Sequence, residues 1–233
     1  MANKKEQGVL NVNETLNKSE AFFEKYKKAI IAAIVALFVI IAGIILYKNY
    51  ISDPREEKAG TALGKGQDYF NQEQFEKALN GDGASYTGFV KIVSDYSGTE
   101  AANLAKLYAG LCYANLGKWN DAIKYLDDYK PGGDAMVSPA AIAALGNAYA
   151  HVNQLDKAIS TLKKAAEMAD GKADGGANYS ISPTFLLQAG ELIESQGKKA
   201  EALKLYQDIK KKYVNSAIVQ SAEIDKYIER VSE

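Results

Sequence analysis

His151 and Cys112 are the only histidine and the only cysteine in the sequence, and both residue types often serve as metal ligands or nucleophiles. A structural zinc site of the Cys/His kind needs several such ligands, so that class of site is excluded. No nucleophile motif surrounds either residue. We therefore expect no catalytic, metal-binding or cofactor-binding residues, and we expect a protein that is not an enzyme. We interpret His151 as a polar residue lining a groove and Cys112 as a small buried packing residue.

The segment NGDG at 80–83 resembles a fragment of a calcium-binding loop. It lacks the regularly spaced acidic ligands that such loops need to surround the ion. We therefore interpret this segment as a turn.

The longest apolar segment is AIIAAIVALFVIIAGIIL at 29–46, which contains no charged, hydroxyl or amide side chain. As a helix it would be roughly 27 Å long, close to the hydrocarbon thickness of a bilayer. A cleaved signal peptide usually has a shorter apolar core and a small-residue cleavage site, and a lipoprotein signal needs a cysteine directly after it. A buried core helix is rarely apolar on every side. We therefore predict an uncleaved transmembrane helix over 29–46.

Residues 1–28 are predicted to form a cytoplasmic tail with an amphipathic helix. The KYKK cluster at 25–28 adjoins the span, and the fifteen residues on each side of the span contain four basic residues before it and three after it. The positive-inside rule therefore favours a cytoplasmic N-terminus by a narrow margin, with the C-terminal domain across the membrane.

Small side chains recur on one face of the predicted span, at alternating intervals of three and four residues. Such a face lets another helix approach closely, although small residues are also common in membrane helices generally. The candidate transmembrane contact face comprises Ala29, Ala32, Ala36, Val39 and Gly43.

After the span, one pattern recurs four times. A glycine is followed by an aromatic or apolar residue at three positions, a turn residue at seven, a mostly apolar residue at nine and an alanine at twelve. In the last three copies, a leucine or a tyrosine follows at sixteen. The leading residues are Gly66, Gly110, Gly146 and Gly190. The pattern resembles the tetratricopeptide repeat, a helix–turn–helix unit of about 34 residues. It implies an all-α solenoid of about four repeats over 54–213, and the amphipathic segment at 214–233 is predicted to be a C-terminal capping helix that covers its open end.

The resemblance leads to expectations about packing within each repeat. The leading glycine of the first helix and the alanine of the second helix are each expected to lie where the two helices pack closely. The turn residues Gly117, Asn153 and Gly197 are expected to adopt a left-handed conformation. The glycine-to-glycine spacings of 44, 36 and 44 exceed the repeat length. We assign most of the excess to two loops between repeats, near 80–83 and at 170–182.

Three sites carry helix-start signals. Ser138 and Ser182 each precede a proline, which predicts a serine N-cap followed by proline at the first helical position. Glu56 follows Asp53-Pro54 at the position of a capping box.

The part of the chain after the span carries 21 basic and 25 acidic residues from Ile51 onward, which argues against nucleic acid and anionic lipid as its partners. In tetratricopeptide arrays the first helices line a concave face, and we place a candidate protein-binding groove one and five residues after each glycine. This groove comprises Gln67, Asn71, Leu111, Asn115, Asn147, His151, Glu191 and Ser195. The series is mostly polar and uncharged, so it is suited to hydrogen-bonding an extended chain or a helix of a partner. The alternative is that these side chains are simply solvated.

The order of parts resembles the YfgM-like family of bacterial inner-membrane proteins, which are ancillary subunits of the Sec translocon. The segments FFEKYKK, ALNGDG and AANLAKLYAGLCYANLGKW carry this resemblance. It implies a single-pass protein of the bacterial inner membrane with a periplasmic C-terminal domain. It also implies three protein partners, namely the Sec translocon, a membrane-anchored periplasmic chaperone and exported clients. The alternative function is a structural scaffold for envelope or cell-division complexes.

Overall fold

A computed structural model of the protein describes residues 12–232, with side chains described from residue 20 onward. Residues 1–11 of the predicted tail lie outside the described residues. The chain divides into two compact units, and the division falls after Pro54.

The first unit contains helix α1 (Val12–Tyr47), which includes the whole predicted span. A π-helical turn, Lys48–Ser52, follows α1. The large apolar side chains of the span are mostly exposed, and the side chain of Phe38 is 66% exposed. This helix is long and apolar enough to cross a membrane. Its exposed apolar side chains form no core within the described residues.

The second unit consists of helices, with no strand between residues 55 and 232. In chain order, the helices after α1 are α2 (Asp53–Asn71), α3 (Phe75–Asn80), α4 (Phe89–Asp95), α5 (Glu100–Asn115), α6 (Trp119–Asp127), α7 (Val137–His151), α8 (Leu155–Lys172), α9 (Ser182–Ser195), α10 (Lys199–Lys212), α11 (Ala217–Gln220) and α12 (Glu223–Ser232). The first helices of the four repeats are α2, α5, α7 and α9. Helices α5, α7 and α9 each pack on the second helix of their own repeat and on the second helix of the repeat before. Helix α2 meets α4 where Gly66 approaches Phe89. The second unit is therefore an all-helical solenoid.

The leading glycines lie where the two helices of a repeat come closest together. A Cβ atom at Gly110 would lie 2.6 Å from Cγ of Leu126, and one at Gly146 would lie 2.9 Å from Cγ of Leu162. At Gly190, the corresponding atom would overlap the ring of Tyr206. The closest side chain is therefore the one sixteen residues after the glycine. The alanine at twelve is fully buried in every repeat, as expected where the two helices pack closely.

In the first repeat, the second helix is split into α3 and α4. A Cβ atom at Gly66 would overlap the hydroxyl group of Tyr86 and the ring of Phe89, so Phe89 takes the place that Leu126 has in the next repeat. Phe89 comes seven residues later than the repeat pattern requires, because the segment from Gly81 to Gly88 is inserted between the two half-helices. The prediction that the loop near 80–83 connects two repeats is therefore wrong.

Asp82 organises this inserted loop. Its Oδ1 accepts hydrogen bonds from the backbone N–H groups of Ala84, Ser85 and Tyr86, each at 2.9 Å, and its Oδ2 accepts one from Tyr69 Oη. The three backbone bonds and the Tyr69 bond lower the pKa of Asp82 below its usual range, against the opposing effect of burial. The carboxylate therefore closes a turn.

The predicted turn conformation is confirmed at all three residues that the sequence singled out. Gly117, Asn153 and Gly197 have φ angles of 71°, 59° and 75°. The equivalent residue of the first repeat is Glu73, with φ of 58°. A glutamate is strained in this region because its Cβ crowds the backbone, so the first repeat departs from the pattern here.

The two serine N-caps predicted at Ser138 and Ser182 are wrong, because another side chain caps each helix. Asp134 Oδ1 accepts from the N–H groups of Met136 and Ser138 at the start of α7. Asn178 Oδ1 accepts from the N–H groups just before α9 in the same way, including that of Ser180. Both serines are fully buried instead, one turn further along. The actual signal is therefore an Asp or Asn four residues before the Ser-Pro pair.

The C-terminal residues 214–232 form two short helices, α11 and α12, separated at Ala222, which has φ of 56°. Helix α12 packs on α10, and its Ile224 and Val231 are buried in the same core as Tyr206 and Ile209. The end of the array is therefore covered by α12, while the preceding residues of the segment lead into it.

Candidate functional site

The predicted groove residues fall into two rows on the first helices. The residues five positions after each glycine are the last residues of those helices, so this row follows one edge of the array next to the turns. It consists of Asn71, Asn115, His151 and Ser195. All four are exposed.

Two residues of this row are hydrogen-bonded to their own helix. Asn115 Nδ2 donates to the carbonyl of Leu111 at 2.9 Å, and Ser195 Oγ donates to the carbonyl of Leu192 at 2.7 Å. His151 instead stacks on the indole ring of Trp119. This edge is therefore polar, but several of its groups already have partners within the chain.

The other row lies one position after each glycine, nearer the middle of the helices. Gln67, Leu111 and Asn147 are half-buried, whereas Glu191 is more exposed. Partial burial raises the pKa of Glu191, the nearby Glu194 carboxylate adds to this rise, and Arg230 of α12 opposes it. At the last repeat, Arg230 in the chain's own terminal helix thus affects the electrostatics of the predicted groove.

A cleft on the first helices lies at their opposite ends, and none of the eight predicted groove residues lines it. It has a volume of about 550 Å³ and is formed by α2, α5, the segment before α7 and the first residue of α7. Its apolar surface comes from Leu63, Ala101, Leu104, Tyr129 and Val137. We call it the first-helix cleft. Gly60 and Leu104 of this cleft each lie six residues before a leading glycine, Gly66 and Gly110. The repeat pattern in the sequence therefore relates these two cleft positions to each other.

Two carboxylates of the first-helix cleft cap neighbouring helices. Glu56 accepts hydrogen bonds from the N–H groups of Glu100 and Ala101 at 2.9 and 2.8 Å, so it caps α5 of the next repeat. The prediction that Glu56 caps its own helix is therefore wrong. Asp134 caps α7, and its hydrogen bonds, chiefly that from Ser138, lower its pKa to about 2. Both carboxyl groups lie at the positive ends of helices, where their hydrogen bonds hold them in place.

A second cleft, of about 570 Å³, lies between the second helices α8 and α10. Asp170 lies at its base and is 8% exposed. It accepts hydrogen bonds from Ser182 Oγ at 2.6 Å, from Tyr213 Oη at 2.6 Å and from the backbone N–H of Asn178 at 2.8 Å. Lys212 forms an ion pair with it. This network ties together α8, the loop before α9, and the end of α10.

Cys112 is fully buried, and burial raises the pKa of its thiol to about 12. A thiol of this kind stays protonated and is a poor nucleophile. From residue 20 to residue 232, no group of three or more His, Cys, Asp or Glu side chains is arranged to hold a metal ion.

The predicted transmembrane contact face is exposed along α1 at Ala29, Ala32, Ala36, Val39 and Gly43. A Cβ atom at Gly43 would meet no other atom within 4 Å. The smallness of Gly43 is thus not explained by contacts within the described chain, and its role in binding another helix stays a prediction.

A family model described as a tetratricopeptide repeat-like domain matches residues 20–226. The chain belongs to the tetratricopeptide repeat-like family. This assignment agrees with the helix pairs, the close glycine contacts and the left-handed turns of the array. Proteins with this fold mediate protein–protein interactions, and the second unit is a protein-interaction module.

The fold also resembles those of solved structures. TPR-like repeats of a Podosopora anserina protein described as a kinesin light chain match with 12% sequence identity and a TM-score of 0.53, covering 76% of this chain and 94% of that one. A related crystal structure of the same repeats matches with a TM-score of 0.52 and the same identity and coverage. At this identity the likeness extends to the fold alone. No curated protein matches the sequence significantly.

Proposed function

We propose that the protein is a membrane-tethered, periplasmic interaction module that works beside the Sec translocon. In this proposal, the span at 29–46 crosses the bacterial inner membrane once, with a cytoplasmic N-terminus. The repeat array binds protein partners without catalysing a reaction. Its partners are the translocon, a membrane-anchored periplasmic chaperone and exported clients.

The observation that carries the proposal is the order of the two units. A helix with an exposed apolar stretch directly precedes an array of a protein-binding family. Anchoring next to a partner raises the effective concentration of the array, so weak individual contacts suffice for binding. The exposed small-residue face from Ala29 to Gly43 offers a place where a helix of the partner approaches closely.

Site-specific crosslinking in membranes tests the proposed partnership. A photoreactive residue at Ala32 or Ala36 is expected to crosslink to translocon subunits, whereas one at Phe38, away from the small-residue face, is expected to do so less. Crosslinks to cell-division proteins alone would favour a scaffold instead. An absence of translocon crosslinks from every position of the face would contradict the proposal.

Labelling of an introduced cysteine tests the orientation. We expect Asn215→Cys, in the exposed segment after α10, to react with an impermeant reagent once the outer membrane is opened. Cys112 is buried and serves as the internal negative control. Protection of the introduced cysteine until the inner membrane is lysed would contradict a periplasmic array.

A further inference from the structure

Helix α2 contains two interior glycines whose presence the fold does not explain. A Cβ atom at Gly60 or at Gly64 would meet no atom within 4 Å, whereas one at Gly66 would overlap two aromatic side chains. Glycine in a helix interior costs about 1 kcal/mol relative to alanine. Since neither glycine is needed for packing within the second unit, a bare helix surface at these positions is better explained by the close approach of something else.

Gly60 lines the first-helix cleft, next to Leu63 on the same helix. Across the cleft, Val137 is 48% exposed, and the adjacent Met136 is 50% exposed. Large apolar side chains that stay half-exposed beside an open apolar cleft are typical of a binding surface. The volume of about 550 Å³ falls within the range of roughly 300–1,000 Å³ that is common for binding pockets.

The charge around the cleft has one predominant sign. Three carboxylates line it, from Glu56, Glu100 and Asp134, against a single basic residue, Lys130. Glu56 and Asp134 are fixed by their helix-capping hydrogen bonds, and Glu100 is exposed at the start of α5. The rim is therefore negative and partly rigid, which favours a cationic partner and disfavours an anionic one.

We propose that the first-helix cleft binds a segment of a partner protein that carries a large apolar side chain flanked by lysine or arginine. The apolar side chain lies against Leu63, Leu104 and Val137, and the backbone of the segment passes over Gly60. Its basic side chains pair with the carboxylates of the rim. The inference rests on the proposed function of binding proteins and specifies which segments of a partner are recognised.

A pair of peptides tests this inference on the full chain in detergent. One fluorescent peptide has a central Leu-Phe pair flanked by lysines, and the other has glutamate in place of every lysine. Fluorescence anisotropy is expected to show binding of the lysine peptide that weakens with salt, and binding of the glutamate peptide that is at least roughly tenfold weaker. Equal binding of both peptides, or no binding of the lysine peptide, would overturn the proposal.

Variants locate the binding site. Gly60→Leu places a side chain in the cleft and is expected to weaken binding of the lysine peptide by roughly tenfold or more. The substitution raises helix propensity, so the thermal unfolding temperature is expected not to fall. Thr184→Leu changes the equivalent position of α9, outside the cleft, and is the matched control. Unchanged affinity in Gly60→Leu would place the peptide elsewhere and overturn the assignment.

Two further measurements test the role of the negative rim and the proposed function independently of each other. Glu100→Lys is expected to reduce the preference for the lysine peptide, and an unchanged preference would overturn the role of the rim. Translocon crosslinking in membranes reports on the proposed function independently. Crosslinks that persist without peptide binding would overturn this inference alone, and peptide binding without crosslinks would overturn the translocon proposal alone.

Discussion

The imidazole ring of His151 lies parallel to the indole ring of Trp119, with 3.6 Å between the ring centroids and 2° between the ring planes. Trp119 begins α6 and His151 ends α7, so the stack joins the second helix of one repeat to the first helix of the next. One face of the His151 ring is therefore covered. A partner in the predicted groove has access only to its other face and its edge.

The stack predicts that His151→Ala destabilises the array by about 1 kcal/mol, because an aromatic pair is lost. Trp119 is the only tryptophan, so the tryptophan fluorescence of the protein reports on the surroundings of this one ring, and its emission is expected to shift to longer wavelength when His151 no longer covers it. Asn115→Ala, at the equivalent position of the preceding repeat, is expected to change neither urea unfolding nor emission. An unchanged emission maximum in His151→Ala would contradict a close stack.

Glu73 predicts a stabilising substitution. It occupies the left-handed turn position that glycine or asparagine holds in the other three repeats. Glu73→Gly is expected to increase the free energy of unfolding by roughly 1 kcal/mol, because the crowding of Cβ is relieved. Glu73→Ala removes the same charge but keeps Cβ, so it is expected to give little gain. Equal effects of the two variants on urea unfolding would indicate that charge, and not backbone strain, limits this turn.

The sequence predicted the repeat units well because their signals are local. Gly117, Asn153 and Gly197 mark turns through their own backbone preferences, and the leading glycines mark close helix contacts. The residue sixteen positions after the last three of these glycines belongs to the same pattern, but it is leucine twice and tyrosine once. Only the geometry of the helix pair shows that these different side chains fill the same space.

Features that join different repeats were not predictable from local patterns. Glu56 caps a helix that begins 44 residues later, and no local motif links the two. The sequence suggested that the insertion between α3 and α4 was a loop between repeats. The residue that packs against Gly66 is Phe89, which comes seven residues later than the repeat pattern requires. The first-helix cleft depends on three helices meeting, so its position was missed although Gly60 and Leu104 fit the numbering of the repeats.

The hydrogen-bonded carboxylate of Asp170 leads us to expect that the free energy of unfolding falls in acid. Burial by itself would raise its pKa, but the hydrogen bonds from Lys212, Ser182, Tyr213 and the Asn178 N–H outweigh burial and lower the pKa. A lowered pKa in the folded state means that the ionised carboxylate stabilises the fold above its unfolded-state pKa, and that this stability is lost as the pH falls through the folded-state value.

Asp170→Asn is therefore expected to lower the free energy of unfolding by about 2 kcal/mol at neutral pH. The difference from the unsubstituted protein is expected to shrink as the pH is lowered through the acidic range, because both side chains are then neutral. Urea unfolding at several pH values measures this. Asp174→Asn, in the exposed loop nearby, is the control and is expected to have little effect at any pH. A difference that stays constant with pH would contradict the role of the charge.

An ion pair between Arg230 and Glu194 links α12 to the last repeat, and we expect it to contribute to the stability of the array. Arg230 Nε and one guanidinium NH2 group donate to the two carboxylate oxygens of Glu194 at 2.8 and 2.7 Å. Arg230→Glu is expected to destabilise the array by about 1 kcal/mol, since this partly exposed pair is replaced by two carboxylates. Glu191 also lies near Arg230, which opposes the rise of its pKa, so it adds to that repulsion.

Combining Arg230→Glu with Glu194→Arg restores opposite charges and is expected to recover part of the loss, which a double-mutant cycle in urea unfolding measures. Lys226→Glu makes the same change of charge at an exposed position of α12 and is expected to be nearly neutral. A double variant that is no more stable than the sum of its single changes would show that the pair of Arg230 and Glu194 does not help to hold α12. Recovery would show that the ion pair also fixes the terminal helix beside the groove position at Glu191.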